Sequence, residues 1–125
     1  DHCIQGAHGA EFADELNTNC IEAIFRKGTD TGIDSYSGFF DNNHAKKTGL
    51  GDYLKGKGVT DVYILGLAAD YCVKFTVLDA LGLEFNTYLI TDGTRGVNIN
   101  ADDTDKALDD MRNKGAHLIE SRDVA

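Results

Sequence analysis

The sequence predicts an α/β domain built on a mainly parallel sheet. Apolar runs at Asp61 to Gly66 (D-V-Y-I-L-G) and Asn86 to Thr91 (N-T-Y-L-I-T) are near-continuous, as in strands covered on both faces. Between them Val73, Val77, Ala80 and Leu81 fall at i, i+4, i+7 and i+8, one face of a helix. Strands alternating with helices imply βαβ units with right-handed crossovers. At 125 residues the chain fits a single domain.

The remaining elements follow from the same patterns. Ile21 to Lys27, an apolar run ending in charge, is expected as a further strand, and Gly115 to Glu120 (G-A-H-L-I-E) as a short last one. The helix after Tyr71 has a natural stop at Gly82. A second helix is expected from about Asp102 to Lys114, burying Thr104, Ala107, Leu108 and Met111. Asn100 or Asp102 is its expected cap, and its acidic first turn suits the helix dipole. A shorter helix is expected near Leu50 to Lys57. Gly28 to Gly49 lacks periodicity, and a loop of that length is functional or disordered; Tyr36, Phe39 and Phe40 favour function.

Composition narrows the function. Twelve Lys+Arg against 21 Asp+Glu give a net charge of −9, which repels phosphate backbones and disfavours a nucleic-acid partner. No apolar run approaches the roughly 18 residues of a membrane span, so no membrane partner is expected. Three cysteines without C-x-x-C spacing argue against a disulfide framework and for the reducing cytoplasm.

Two residues stand out chemically. Asp70, as an N-cap, would place Cys72 in the first turn of the helix that follows a buried strand. There the helix dipole favours a thiolate, and unpaired N–H groups can hold an oxyanion. Strand ends of this kind are where open α/β sheets bind ligands. The alternative is an inert cysteine packed as a small hydrophobe. Lys27, ending its own expected strand, would project at the same edge and support negative charge there, or else be a solvated lysine. His2 and His8 form a weak metal pair, since zinc needs three or four ligands. His44 and His117 read as surface or ordinary strand positions.

These residues lie in four segments that together resemble the nicotinamidases (pyrazinamidases) of the isochorismatase-like cysteine hydrolases. Asp1-His2-Cys3 is similar to that family's metal-binding histidine segment, and Phe25-Arg26-Lys27-Gly28 to its lysine-bearing strand end. Asp34-Ser35-Tyr36-Ser37-Gly38-Phe39-Phe40-Asp41-Asn42 resembles its aromatic loop, and Gly66-Leu67-Ala68-Ala69-Asp70-Tyr71-Cys72-Val73 its nucleophile turn. Ile90-Thr91-Asp92-Gly93-Thr94-Arg95-Gly96-Val97 extends the resemblance, which then covers nearly the whole chain.

The resemblance implies a three-layer α-β-α fold with a mainly parallel sheet. Residues 1–125 would be the C-terminal portion of one such domain, lacking its N-terminal strand and helix. It implies hydrolysis of nicotinamide to nicotinate and ammonia, in NAD salvage, through a thioester on Cys72. Lys27 would assist, and the N–H groups of Ala68 and Cys72 would form the oxyanion hole. The Leu67–Ala68 bond would be cis. Tyr36, Leu67 and Tyr71 match positions beside the substrate ring, and His2 would ligate a zinc or iron ion.

The family's aspartate base and Asp-x-His ligand pair lie upstream of the D-H-C segment and have no counterpart in these residues. The chain alone is therefore expected to be inactive. An open sheet edge would be met by a homo-oligomer or an N-terminal polypeptide. Two other readings stand beside this one, an amidohydrolase of the same superfamily with a different small amide, and a non-catalytic fragment or assembly domain.

Overall fold

The computed structural model describes residues 2–124; Asp1, which opens the D-H-C segment, and Ala125 lie outside them. Three strands, β1 (Asp61–Leu67), β2 (Asn86–Arg95) and β3 (His117–Ile119), form one parallel sheet in the order β1-β2-β3. The helices are α1 (Leu50–Gly56), α2 (Lys74–Gly82) and α3 (Asp103–Asn113), and a π-helical turn, Ala69–Val73, joins β1 to α2. The expected α/β class with a parallel sheet is thus present, and three of the four expected strands and all three helices lie where the periodicity places them.

The core follows from the helical stripes. Val73 and Val77 of the π turn and α2 pack with Ala107 and Met111 of α3 against Leu89 of β2 and Ala116. A second cluster joins Phe39 to Ala80 and Phe85, with Leu50 and Leu54 of α1 and Val62 of β1 against it. The helices therefore cover the sheet face that carries Val62, Ile64 and Leu89. On the opposite face Tyr63, Leu65 and Leu67 are exposed, so β1 is apolar on both faces but covered on one among the described residues.

Several local expectations are corrected. Ile21 to Lys27 is not a strand, because among the described residues no strand lies beside it to take up its backbone N–H and C=O groups. It is held by side chains instead. Phe25 packs on Tyr53 at 5.2 Å, and Glu22 accepts from Lys57 Nζ at 2.7 Å and Tyr53 OH at 2.8 Å. Lys57 and the Tyr53 hydroxyl hold the Glu22 carboxyl below its ordinary range.

Neither Asn100 nor Asp102 caps α3 with its side chain. Asn98 does so from further back, its Oδ1 accepting from the Thr104 N–H at 3.0 Å and the Thr104 hydroxyl at 2.6 Å. Asp70 is not an N-cap either; the π turn begins after Ala68, which has no capping side chain.

The long loop is packed. Phe39 is buried, and the buried Asp41 carboxylate accepts from the amides of Asn43 (3.1 Å), Ala45 (2.8 Å) and Lys46 (3.1 Å). One carboxylate thus closes a turn that has no periodic apolar pattern.

Leu89 has no exposed surface and stands at the centre of the larger cluster. Leu89→Ala is expected to lower unfolding stability by about 2–5 kcal/mol, read as a fall in the urea midpoint without a change in slope.

Candidate active site

The site begins where the β1–β2 ladder slips. Residues pair regularly from Asp61↔Asn86 to Ile64↔Leu89, then shift so that Gly66 faces Thr94 and Leu67 faces Arg95. Gly66 takes φ +125°, which L side chains rarely adopt, and Gly93 lies so close to Leu65 that a Cβ there would stand 2.9 Å from the Leu65 Cβ. The Leu67–Ala68 peptide is cis, as the resemblance implies. Immediately beyond it, the Ala68 carbonyl accepts from the N–H of Tyr71 (3.1 Å) and of Val73 (3.0 Å), while the Cys72 N–H between them makes no bond to it.

Cys72 is half-buried in this turn, and 45 residues earlier Lys27 reaches it. The Lys27 Nζ stands 3.4 Å from the Cys72 Sγ and donates to the Ser35 carbonyl at 3.0 Å. Ser35 lies in the aromatic loop, and Tyr36 follows with its ring 5.6 Å from Tyr71 and stacked at 5.6 Å on Phe75. The backbone of Tyr36 is fixed by its N–H donating to Asn42 Oδ1 at 3.1 Å. Gly38 donates to Thr76 Oγ1 at 2.9 Å, and the Thr76 hydroxyl donates to the Cys72 carbonyl at 2.6 Å.

The structure therefore brings together Cys72, Lys27, Tyr36 and Tyr71, with Ala68 at the start of the turn. Leu67 ends β1 with 73% of its surface exposed. His2 is exposed, and among the described residues no group of three or more His, Cys, Asp or Glu side chains could hold a metal ion. These residues do not by themselves fit a metal. A cleft of about 670 Å³ between residues 3–12 and 24–29 is lined by Lys27 but not by Cys72.

Sequence reasoning missed Phe75, Thr76 and the role of Asp70. The Asp70 carboxylate accepts from the N–H groups of Val97 and Asn98, each at 2.9 Å, tying the segment after β2 to the turn that carries Cys72. Burial acts to raise its pKa, but the backbone amides of Val97, Asn98 and Asp70 itself together outweigh it and hold the carboxyl below the ordinary range. No periodicity marks such a contact; an aspartate two residues before Cys72 is the only signal.

The sequence matches the isochorismatase domain family over residues 1–123. The chain belongs to that family. It is 48% identical to the nicotinamidase of Escherichia coli over 118 residues, which is 94% of this chain and 55% of that protein. The nicotinamidase/pyrazinamidase of Acinetobacter baumanii superposes with a TM-score of 0.95 at 42% identity, over 100% of this chain and 60% of that one. A pyrazinamidase of Pyrococcus horikoshii in complex with zinc superposes with a TM-score of 0.80 at 37% identity, over 96% of this chain and 62% of that one. The chain thus spans little more than half the length of the curated relatives it matches. No helix among the described residues is long and apolar enough to cross a membrane.

The Asp70 contacts give a pH signature. Because the folded-state pKa is depressed, the stability Asp70 adds is complete above the ordinary carboxylate range near pH 4 and is lost as pH falls through the lower, folded value. Asp70→Asn is expected to lower the melting temperature at pH 7, with the gap to the natural protein closing below about pH 4. Melting curves across that range check it; a gap independent of pH would contradict it.

Proposed function

We propose that the protein to which this chain belongs is a nicotinamidase. The observation that carries the reading is the convergence of Lys27 on Cys72 beside the Tyr36–Tyr71 pair, from segments far apart in sequence. The similarity to nicotinamidases supports the same substrate.

In this reading the Cys72 sulfur attacks the carbonyl carbon of nicotinamide, and the C–S bond forms as the carbonyl π pair moves onto oxygen. The N–H groups of Ala68 and Cys72 receive that oxyanion, and the absence of a bond from the Cys72 N–H to the Ala68 carbonyl supports this role. The pair returns, the C–N bond breaks, and nitrogen leaves as ammonia with a proton from the site. Water then cleaves the thioester, giving nicotinate and restoring the thiol. Lys27, oriented by the Ser35 carbonyl, stabilises the sulfur anion before attack and after release. Tyr36, Tyr71 and Leu67 form the apolar surroundings of the pyridine ring.

A divalent ion, zinc or iron, belongs to the proposal, with His2 as one ligand; the zinc complex of the Pyrococcus horikoshii relative supports it. Its other ligands are not among the described residues, and no step above runs through it. A cytoplasmic location is proposed with the free cysteines, Cys3, Cys20 and Cys72, in support. A partner for the open sheet edge at β1, a second copy or an N-terminal polypeptide, is part of the same proposal.

In the full-length protein, Cys72→Ala should abolish ammonia release from nicotinamide, and Lys27→Met should reduce kcat by about a hundredfold or more. Activity surviving Cys72→Ala would refute the covalent mechanism, and faster turnover of another small amide would replace the substrate. Removing metal with a chelator should abolish activity, with recovery on adding zinc or iron; full activity in metal-free protein would remove the ion from the proposal.

A further inference from the structure

We propose that Thr76 is a positioning residue, whose hydroxyl couples the aromatic loop to the main chain of the nucleophile. The inference rests on Cys72 and the aromatic loop forming the reaction site proposed above. A threonine hydroxyl has one proton, and its two contacts fix where that proton goes. The Gly38 N–H can only donate, so it donates to Thr76 Oγ1 at 2.9 Å; the Cys72 carbonyl can only accept, so it takes the hydroxyl proton at 2.6 Å. The result is a directed chain from loop amide to hydroxyl to nucleophile carbonyl.

Both ends of the chain matter to the reaction. Gly38 lies two residues beyond Tyr36 and three beyond Ser35, whose carbonyl holds Lys27. Gly38 is also gripped from its other side, its carbonyl accepting from the Thr48 hydroxyl at 2.6 Å. At the far end, the bond to the Cys72 carbonyl fixes the peptide plane that follows the cysteine, and with it the path of the main chain from which Sγ projects. The same peptide plane is held at its N–H end by the π-type bond from Val73 to the Ala68 carbonyl at 3.0 Å, so the Thr76 hydroxyl supplies its second tie. The half-buried Thr76 side chain lies close over Gly38, where an added Cβ would stand 3.6 Å from its methyl group. A shift of the loop therefore moves the Tyr36 ring, the Lys27 acceptor and the Cys72 backbone together.

The test uses the full-length protein with Thr76→Val, which keeps the shape and removes the hydroxyl, and Thr76→Ser, which keeps the hydroxyl and removes the methyl. Two quantities are read: KM for nicotinamide, and the rate of iodoacetamide alkylation at the Cys72 peptide by mass spectrometry. Thr76→Val is expected to raise KM by about tenfold and to slow Cys72 alkylation by about threefold or more, and Thr76→Ser to restore both to within about twofold.

Unchanged values in Thr76→Val, or an equal loss in Thr76→Ser, would overturn the proposal, the second by assigning the effect to methyl packing. Should Thr76→Val not fold, Thr76→Ser decides alone: values near the natural protein support the hydroxyl chain, and a tenfold loss refutes it. The two proposals fail separately. If the natural protein does not hydrolyse nicotinamide but alkylation still slows in Thr76→Val, the substrate reading falls and the coupling stands. If hydrolysis occurs and Thr76→Val matches the natural protein, the coupling falls and the substrate reading stands.

Discussion

A parallel ladder delivers the C-terminal ends of its strands to one edge, and here β1 and β2 stay in register only as far as Ile64↔Leu89. Beyond that pair the slip at Gly66 turns the chain out of the sheet and into the π turn that carries Cys72. Every other feature of the site is arranged around this departure. Thr94 and Arg95 of β2 flank the exit, and the segment after them is tied back to the turn through Asp70. The core beneath it, with Val73 and Val77 against Leu89, sets the direction of α2 and therefore the position of the turn at its start.

The aromatic loop reaches the same edge without belonging to the sheet. A segment with no ladder must satisfy its backbone locally, and this one does so through side chains: Asp41 collects three amides, Asn42 takes the Tyr36 N–H, and Thr48 donates to the Gly38 carbonyl. Phe39 supplies the apolar anchor, stacked 6.1 Å from Phe85 in the smaller core cluster. An ordered loop of this kind presents Tyr36 as a fixed surface, whereas a mobile one would have to be ordered at the cost of binding energy.

The strands and helices were legible because burial imposes a period on the sequence. Asp61 to Gly66 and Asn86 to Thr91 announce themselves as apolar runs, and Val73, Val77 and Ala80 as a stripe that proves buried. Cys72 was legible as a residue just past an apolar strand, whereas Lys27 ends a run that forms no strand; the resemblance put the two in one site, and they stand 3.4 Å apart. What could not be read were contacts between a side chain and distant backbone. Asp70 looks like a cap from its neighbours, yet its partners are 27 and 28 residues away. Ile21 to Lys27 has the composition of a strand, but a strand is defined by its neighbour, and composition does not supply one. His2 shows the same limit, since a ligand becomes a metal site only when other ligands converge on it.

Ser35, Tyr36 and Gly38 touch three different parts of the candidate site: Lys27, the aromatic rings of Tyr71 and Phe75, and the Thr76 hydroxyl that meets the Cys72 carbonyl. A lysine ammonium has three donors on a flexible stem, so its position beside sulfur depends on what else it bonds. By giving one donor to Ser35, Lys27 takes its place from the same loop that supplies the stacking face. In the proposed reaction, thiol activation and ring binding are therefore not independent properties that could be tuned separately. A substitution that moves the loop should change both at once. One that alters only the Tyr36 ring should leave the lysine where it is, because Ser35 holds it through main-chain oxygen that no side-chain change removes.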